Sequence, residues 1–177
     1  MNESILNFLK NNQELLKSDN FEELYTKALR EWISIGELTQ TFYHADIDPL
    51  KYMNNIPKKY LFNADNVDGF KIPNNIRNIG ELAFYKTDIS SIEIPEGVEY
   101  IASKCFYCCD NLIFVSLPLS LNRLGKSIFG ASPVVSEVRY AGTIEDWNKV
   151  QKDKQWVSLS GRISFNLICK DGEVWTN

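Results

Sequence analysis

The residues of this chain best suited to chemistry are three cysteines within five positions. Cys105, Cys108 and Cys109 include a C-x-x-C spacing, which is typical of redox and zinc sites. A structural zinc ion takes about four protein ligands, and the remaining cysteine, Cys169, stands alone far along the chain. We therefore predict reduced structural thiols, and we expect no metal and no cofactor.

The one histidine is a second candidate, because two carboxylates stand close to it. His44, Asp46 and Asp48 could bind a metal ion or form an acid–base pair. Capping and linker roles explain the same residues more simply, and the chain has no G-x-S-x-G, glycine-rich phosphate loop or H-E-x-x-H motif. We expect no catalytic residues, and an enzyme that uses these three side chains is kept as an alternative.

The composition is that of a folded, slightly acidic protein. Of 177 residues, 19 are Lys or Arg and 23 are Asp or Glu, so the formal net charge is -4. Nucleic acid is not an expected partner, since no bulk positive charge is available to displace counterions from phosphates. The first residues do not form an export signal and no long apolar run occurs, so we expect a cytoplasmic protein without a membrane span.

The elements that would position these residues come from an internal repeat. Segments 70–84, 92–106 and 115–129 share one pattern, and their prolines recur after 22 and then 23 residues. Isoleucines 92 and 94 alternate and would point inward from a short strand that Pro95 ends. A unit this thin cannot bury its faces alone, so its core has to come from stacking on its neighbours. The apolar columns are Val67/Ile89/Leu112, Phe70/Ile92/Val115, Ile72/Ile94/Leu117, Ile76/Val98/Leu121, Ile79/Ile101/Leu124, Ala83/Cys105/Ile128 and Phe84/Phe106/Phe129.

This pattern resembles the BspA-like class of leucine-rich repeats, roughly L-x-x-I-x-I-P-x-x-V-x-x-I-G-x-x-A-F-x-x-C. The resemblance is close over about residues 67–132. It implies an α/β repeat fold, a short leucine-rich-repeat solenoid, and a role as a protein-interaction module. It also implies that Cys109 is a small packing residue.

The segments on either side of the repeats predict caps. Residues 1–48 show helical spacing and are assigned to an N-terminal helical cap, residues 49–133 to the repeats, and residues 134–177 to a C-terminal α/β cap. Residues 56–62 are interpreted as a degenerate first unit. The boundary signals in the N-terminal part are a capping box at Asp19 and Glu22, a helix run that includes Trp32, a helix stop at Gly36 and a helix start at Asp48-Pro49. The C-terminal cap is predicted to hold a fourth repeat strand at 138–140, a helix capped by Thr143, a strand at 163–169 and a hairpin turn at 170–173.

A partner-binding surface is predicted from side chains that face out of the solenoid. Phe114 replaces Ser and Gly at an outward strand position, and Ile113 and Leu119 are apolar where the preceding repeat has Ser90 and Glu96. The alternative is that the caps cover these residues and that they only pack. With the outward strand residues and three tyrosines, the predicted partner-binding residues are Tyr85, Glu93, Tyr100, Tyr107, Ile113, Phe114, Ser116 and Leu119.

Together these features predict a non-enzymatic module that binds another protein as an inhibitor or adaptor, encoded by a bacterium or a phage. The main alternative is a self-associating structural protein, a homodimer that forms through an uncovered end strand or through the surface around Phe114.

Overall fold

The computed structural model of the chain describes residues 3–17, 20–31, 33–44, 48–158 and 163–176. None of the described helices is long and apolar enough to cross a membrane. The helices are α1 (Glu3–Asn11), α2 (Gln13–Lys17), α3 (Phe21–Arg30), α4 (Ile35–His44) and α5 (Ile144–Lys149), with a 3-10 helix at Pro49–Tyr52. The strands are β1 (Asn55–Ile56), β2 (Asn78–Ile79), β3 (Ser91–Glu93), β4 (Tyr100–Ile101), β5 (Phe114–Leu117), β6 (Arg123–Leu124), β7 (Glu137–Tyr140), β8 (Gln151–Lys152), β9 (Phe165–Cys169) and β10 (Gly172–Thr176).

Successive repeats add strands in parallel to two sheets. The larger sheet has the order β10-β9-β7-β5-β3 and the smaller sheet the order β1-β2-β4-β6-β8. In the smaller sheet Ile79 pairs with Ile101 and Ile101 with Leu124, so residues one period apart lie side by side. The predicted leucine-rich-repeat solenoid is confirmed.

The core is a column of stacked rings that runs along the solenoid. The rings of Phe84 and Phe106 lie 5.3 Å apart and those of Phe106 and Phe129 6.0 Å apart, and all three are buried. Phe70 packs edge-on at one end of the column and Phe165 at the other, each at 5.7 Å. Burying one such side chain stabilises the fold by about 1.5–3 kcal/mol. Because the phenylalanines recur once per repeat, each repeat adds one such stabilising contact.

The return from the smaller sheet to the larger one repeats its backbone geometry as well. Left-handed backbone at a non-glycine residue costs about 1 kcal/mol, and the hydrogen bonds between successive returns offset this cost. The N–H of Phe84 donates to the carbonyl of Cys105, and that of Phe106 to the carbonyl of Ile128, both at 3.0 Å. The left-handed residues that recur from unit to unit, with φ between 55 and 60°, are Lys59/Asn63, Leu82/Lys86, Lys104/Cys108 and Ser127/Ala131.

Two predicted helix boundaries have different outcomes. The predicted stop at Gly36 is wrong, because this glycine lies in the first turn of α4. A Cβ there would stand 2.8 Å from the carbonyl oxygen of Phe62, so the missing side chain lets the helix approach the first repeat. The start at Asp48 is confirmed, although the helix is a 3-10 helix, and Asp48 Oδ1 accepts the N–H of Leu50 at 3.1 Å.

The cap of α3 lies one residue later than predicted. The N–H of Glu23 donates to Asn20 Oδ1 at 3.3 Å, which makes Asn20 the N-cap. Asp19 and Trp32 lie outside the described residues.

Glu22, the predicted partner in the capping box, instead joins the helices to the first repeat. Its Oε1 accepts the N–H of Asn54 and the Nδ2–H of Asn55, both at 3.0 Å. Asn55 begins β1, which pairs in parallel with β2 one period later. The degenerate first unit is therefore present in the smaller sheet.

The larger sheet begins one repeat later than the pattern suggested. The repeat makes residues 70–72 equivalent to residues 92–94, which overlap β3, yet residues 70–72 form no strand. The carboxylate of Asp68 accepts the N–H of Ser90 at 2.8 Å, whereas in the next repeats the backbone carbonyls of Ser90 and Ile113 accept the N–H groups of Ile113 and Ser136. A side chain thus takes the place of the backbone acceptor that would extend the ladder.

The C-terminal elements follow the prediction closely. Strand β7 pairs with β5, and Thr143 and Asp146 form a reciprocal capping box at the start of α5. Trp147 of this helix is buried against Tyr140, with ring centroids 5.2 Å apart. Strands β9 and β10 form an antiparallel hairpin, and β9 begins at Phe165, two residues later than predicted.

Candidate protein-binding surface

The outward face of the larger sheet carries the residues predicted from strand positions. Ser91 of β3 pairs with Phe114 of β5, and Glu93 pairs with Ser116. The intervening side chains are buried, so these four residues face away from the core. Alternation along the strands therefore placed Glu93, Phe114 and Ser116 on one surface.

The ring of Phe114 lies beneath an arginine from the next strand. Strand β7 places Glu137 beside Phe114 and Arg139 beside Ser116. The Arg139 guanidinium stands 5.2 Å from the centroid of the Phe114 ring, and Arg139 Nε lies 2.7 Å from Glu137 Oε1. Such a cation–π contact contributes about 0.5–1 kcal/mol at an exposed site. A partner that covers this ring therefore has to accommodate the guanidinium as well.

The other two predicted apolar residues lie beyond opposite ends of β5. Ile113 is 52% exposed and adjoins Phe114, whereas Leu119 is 49% exposed and follows the far end of the strand. Val134, which is 43% exposed, precedes Ser136, whose N–H donates to the Ile113 carbonyl at 3.1 Å. We call Ile113, Phe114, Val134, Glu137 and Arg139 the Phe114 patch.

Tyr85 and Tyr107 lie on another side of the solenoid, in the returns between the sheets. They form an aromatic ladder with Phe62, with ring centroids 4.5 Å apart for Phe62 and Tyr85 and 6.0 Å apart for Tyr85 and Tyr107. Gly130 takes the next position, where a Cβ would clash with Cε2 of Tyr107. The neighbouring Cys108 thiol and burial both raise the pKa of Tyr85, and the effect of the thiol is the larger. These rings pack on one another.

Tyr100 lies on the smaller sheet, away from both the Phe114 patch and the aromatic ladder. It pairs with Arg123, whose guanidinium stands 5.1 Å from the Tyr100 ring centroid. The eight predicted residues are therefore distributed over three sides of the solenoid.

The cysteine cluster is part of the core. Cys105 and Cys109 are fully buried, and burial raises the pKa of both thiols. Cys109 Sγ donates to the carbonyl of Phe84 at 2.9 Å, and Cys108 is only partly buried. A raised pKa keeps the thiols protonated at neutral pH, which disfavours both nucleophilic attack and metal binding. Within the described ranges, no three His, Cys, Asp or Glu side chains come together as metal ligands.

The histidine candidate falls largely outside the described residues. This applies to Asp46 and to the side chain of His44, while Asp48 caps the 3-10 helix. Asp48 also borders a cleft of about 770 Å³ between the helices and the first repeat. Burial, and next the charge of Asp48, raise the pKa of Tyr60 at the wall of this cleft. The other wall residues include Thr39, Leu50, Ala64, Val67, Phe70 and Lys71.

Trp175 belongs to the same outward face and was not among the predicted binding residues. It is 69% exposed and pairs with Asn166, while Val174 beside it packs against the core. The sequence contained the signal, because alternation through the predicted hairpin puts Trp175 outward once Val174 points inward.

Comparison with known proteins adds one family. The model of the BspA type leucine rich repeat region matches residues 33–150 with six copies, about two thirds of the chain. No curated protein and no solved structure matches the chain.

Proposed function

Because the chain belongs to the BspA-type leucine-rich repeat family, we propose that it binds another protein and acts as its inhibitor or adaptor, without chemistry of its own. The family suggests a protein-interaction repeat module. Repeat solenoids bind through extended surfaces made of equivalent positions on successive units. On its size and acidity we further propose a bacterial or phage-encoded protein, and we propose that it works in the cytoplasm.

The observation that carries this proposal is the Phe114 patch. Ile113 and Val134 are exposed apolar side chains, and Phe114 adjoins the Glu137–Arg139 ion pair. Aromatic residues and arginine are the side chains that most often supply binding energy at protein interfaces. The patch therefore fits a partner with an apolar pocket for Phe114 and a carboxylate within reach of Arg139.

The test is capture of a partner with two matched variants. Phe114 and Tyr100 are both rings under an arginine, on the outward faces of different sheets. Phe114→Ser should abolish capture and Tyr100→Ser should preserve it, with equal thermal unfolding of both variants as the control for folding.

A photo-crosslinker at Ile113 then identifies the contact directly. A partner that binds Phe114→Ser as tightly as the wild type and crosslinks nowhere near Ile113 would contradict the proposed surface. Loss of capture with Tyr100→Ser alone would move the site to the smaller sheet.

A further inference from the structure

Strand β10 leaves one edge of the larger sheet open. It is the last strand of the sheet, and none of the backbone hydrogen bonds found among the described residues reaches its outer side. Natural proteins block such edges with charged side chains, above all lysine, with proline or with a bulge. Residues 172–176 contain one charged residue, Glu173, and no lysine or proline, and they pair one-to-one with residues 165–169 without a bulge. The edge is therefore competent to accept another strand.

The hairpin determines which backbone groups point outward. Cys169 pairs with Gly172 across a two-residue loop, and in such a hairpin the closing pair is hydrogen-bonded. Hydrogen-bonded and non-hydrogen-bonded pairs alternate along an antiparallel ladder. Val174 thus directs its N–H and C=O groups toward β9, while Glu173 and Trp175 direct theirs to the open edge.

We propose that two copies of the chain associate through β10, in an antiparallel pair centred on Val174. In this register Glu173 of each copy faces Trp175 of the other, so the four outward N–H groups and the four outward C=O groups can form four hydrogen bonds. The arrangement is isologous, because the same strand meets itself across a two-fold axis. This register leaves none of the outward backbone groups of Glu173 and Trp175 unpaired.

The side chains agree with this register. On the outward face each Glu173 carboxylate lies opposite an indole and not opposite another carboxylate, and it already accepts a hydrogen bond from Asn166 Nδ2 at 2.7 Å. Trp175, at 69% exposure, gains a neighbour and loses contact with water. On the inward face the two Val174 side chains meet and extend the core.

The pairing has a consequence for partner binding. A two-fold axis perpendicular to a continuous sheet keeps both outward faces on the same side, so the dimer presents two Phe114 patches in one direction. Pairing through a single short strand buries less than a standard interface, which favours a reversible dimer. Such a dimer would bind a two-fold partner with higher avidity than the monomer.

Sedimentation equilibrium over a range of protein concentrations tests the proposal. Proline is tolerated where the N–H faces away from the sheet, so Glu173→Pro blocks the open edge while the β9 hydrogen bonds remain. Glu173→Ala removes the same carboxylate and keeps the N–H. We expect a reversible dimer in the wild type, at least about tenfold weaker association in Glu173→Pro, and less than about a threefold change in Glu173→Ala.

Amide exchange provides a second measurement that needs no variant. The amides of Glu173 and Trp175 should gain protection as the wild-type concentration rises, because they are the donors in the dimer. A monomer at every concentration, a dimer that Glu173→Pro leaves intact, or amides that stay unprotected in the dimer would each overturn the proposal. Phe114→Ser should dimerise normally, so failure of the proposed function is distinguishable from failure of this pairing.

Discussion

At the scale of single residues, the repeat itself provides the best reference for each substitution. Cys105 occupies the column of Ala83 and Ile128, so the fold already accommodates a methyl group at an equivalent position. Both Cys105 and Ala83 are fully buried. The thiol is thus a packing group whose ionisation the core opposes, and this has a measurable pH signature.

We predict that the protein loses stability in alkali and that Cys105→Ala reduces this loss. Burial raises the pKa of Cys105 above the ordinary value of 9.0. Below pH 9.0 the thiol is protonated in both the folded and the unfolded state, and its contribution to the free energy of unfolding is fully present. Above it the unfolded state ionises first, so stability falls until the pH passes the folded-state pKa.

Urea unfolding between about pH 8 and about pH 11 measures the effect, which amounts to at most about 1.4 kcal/mol per pH unit for one thiol. Cys105→Ala should have a shallower decline than the wild type. Equal slopes for the two proteins would contradict the assignment of this thiol to the desolvated core.

At the scale of elements, the aromatic ladder allows a packing role to be distinguished from a binding role. Tyr85 stacks between Phe62 and Tyr107, so its removal leaves two rings without a neighbour. We predict that Tyr85→Ala lowers the free energy of unfolding by about 1–3 kcal/mol and leaves partner capture unchanged. Chemical denaturation and the capture assay measure the two effects separately. If Tyr85→Ala has wild-type stability but no longer captures the partner, the prediction is wrong and Tyr85 is part of the binding surface.

The period explains which elements could be predicted. Phe84, Phe106 and Phe129 stack because equal spacing gives equal positions, and the outward face that carries Glu93 and Phe114 follows from alternation. The stacked rings and the outward face could therefore be predicted from the sequence alone.

The remaining differences depend on contacts between distant segments. A glycine can end a helix or permit close approach, and only the position of Phe62 shows that Gly36 does the second. Where the strand at residues 70–72 is absent, a side chain, the carboxylate of Asp68, accepts the N–H of Ser90. The period fixes neighbours along the solenoid but not the shape of its cross-section, so the sequence does not predict that Tyr107 and Phe114 lie on different sides.

At the scale of the whole molecule, the helices and the repeats meet in a packed and hydrogen-bonded junction. Tyr25 of α3 packs on Tyr60 of the first unit with ring centroids 5.7 Å apart, and Glu22 accepts two hydrogen bonds from Asn54 and Asn55. We predict that the helices and the solenoid unfold as one unit, because separation would expose the end of the stacked core.

Glu22→Ala tests this coupling. It removes the shared acceptor and should lower the free energy of unfolding by about 1 kcal/mol, while Glu22→Gln retains an acceptor oxygen and should lose less. Amide exchange locates the effect: protection should fall in α3 and also at Ile79 and Ile101, which lie in the smaller sheet. Loss of protection in the helices alone would mean that the two parts open independently, and the helical segment would then be an attached domain that does not stabilise the repeats.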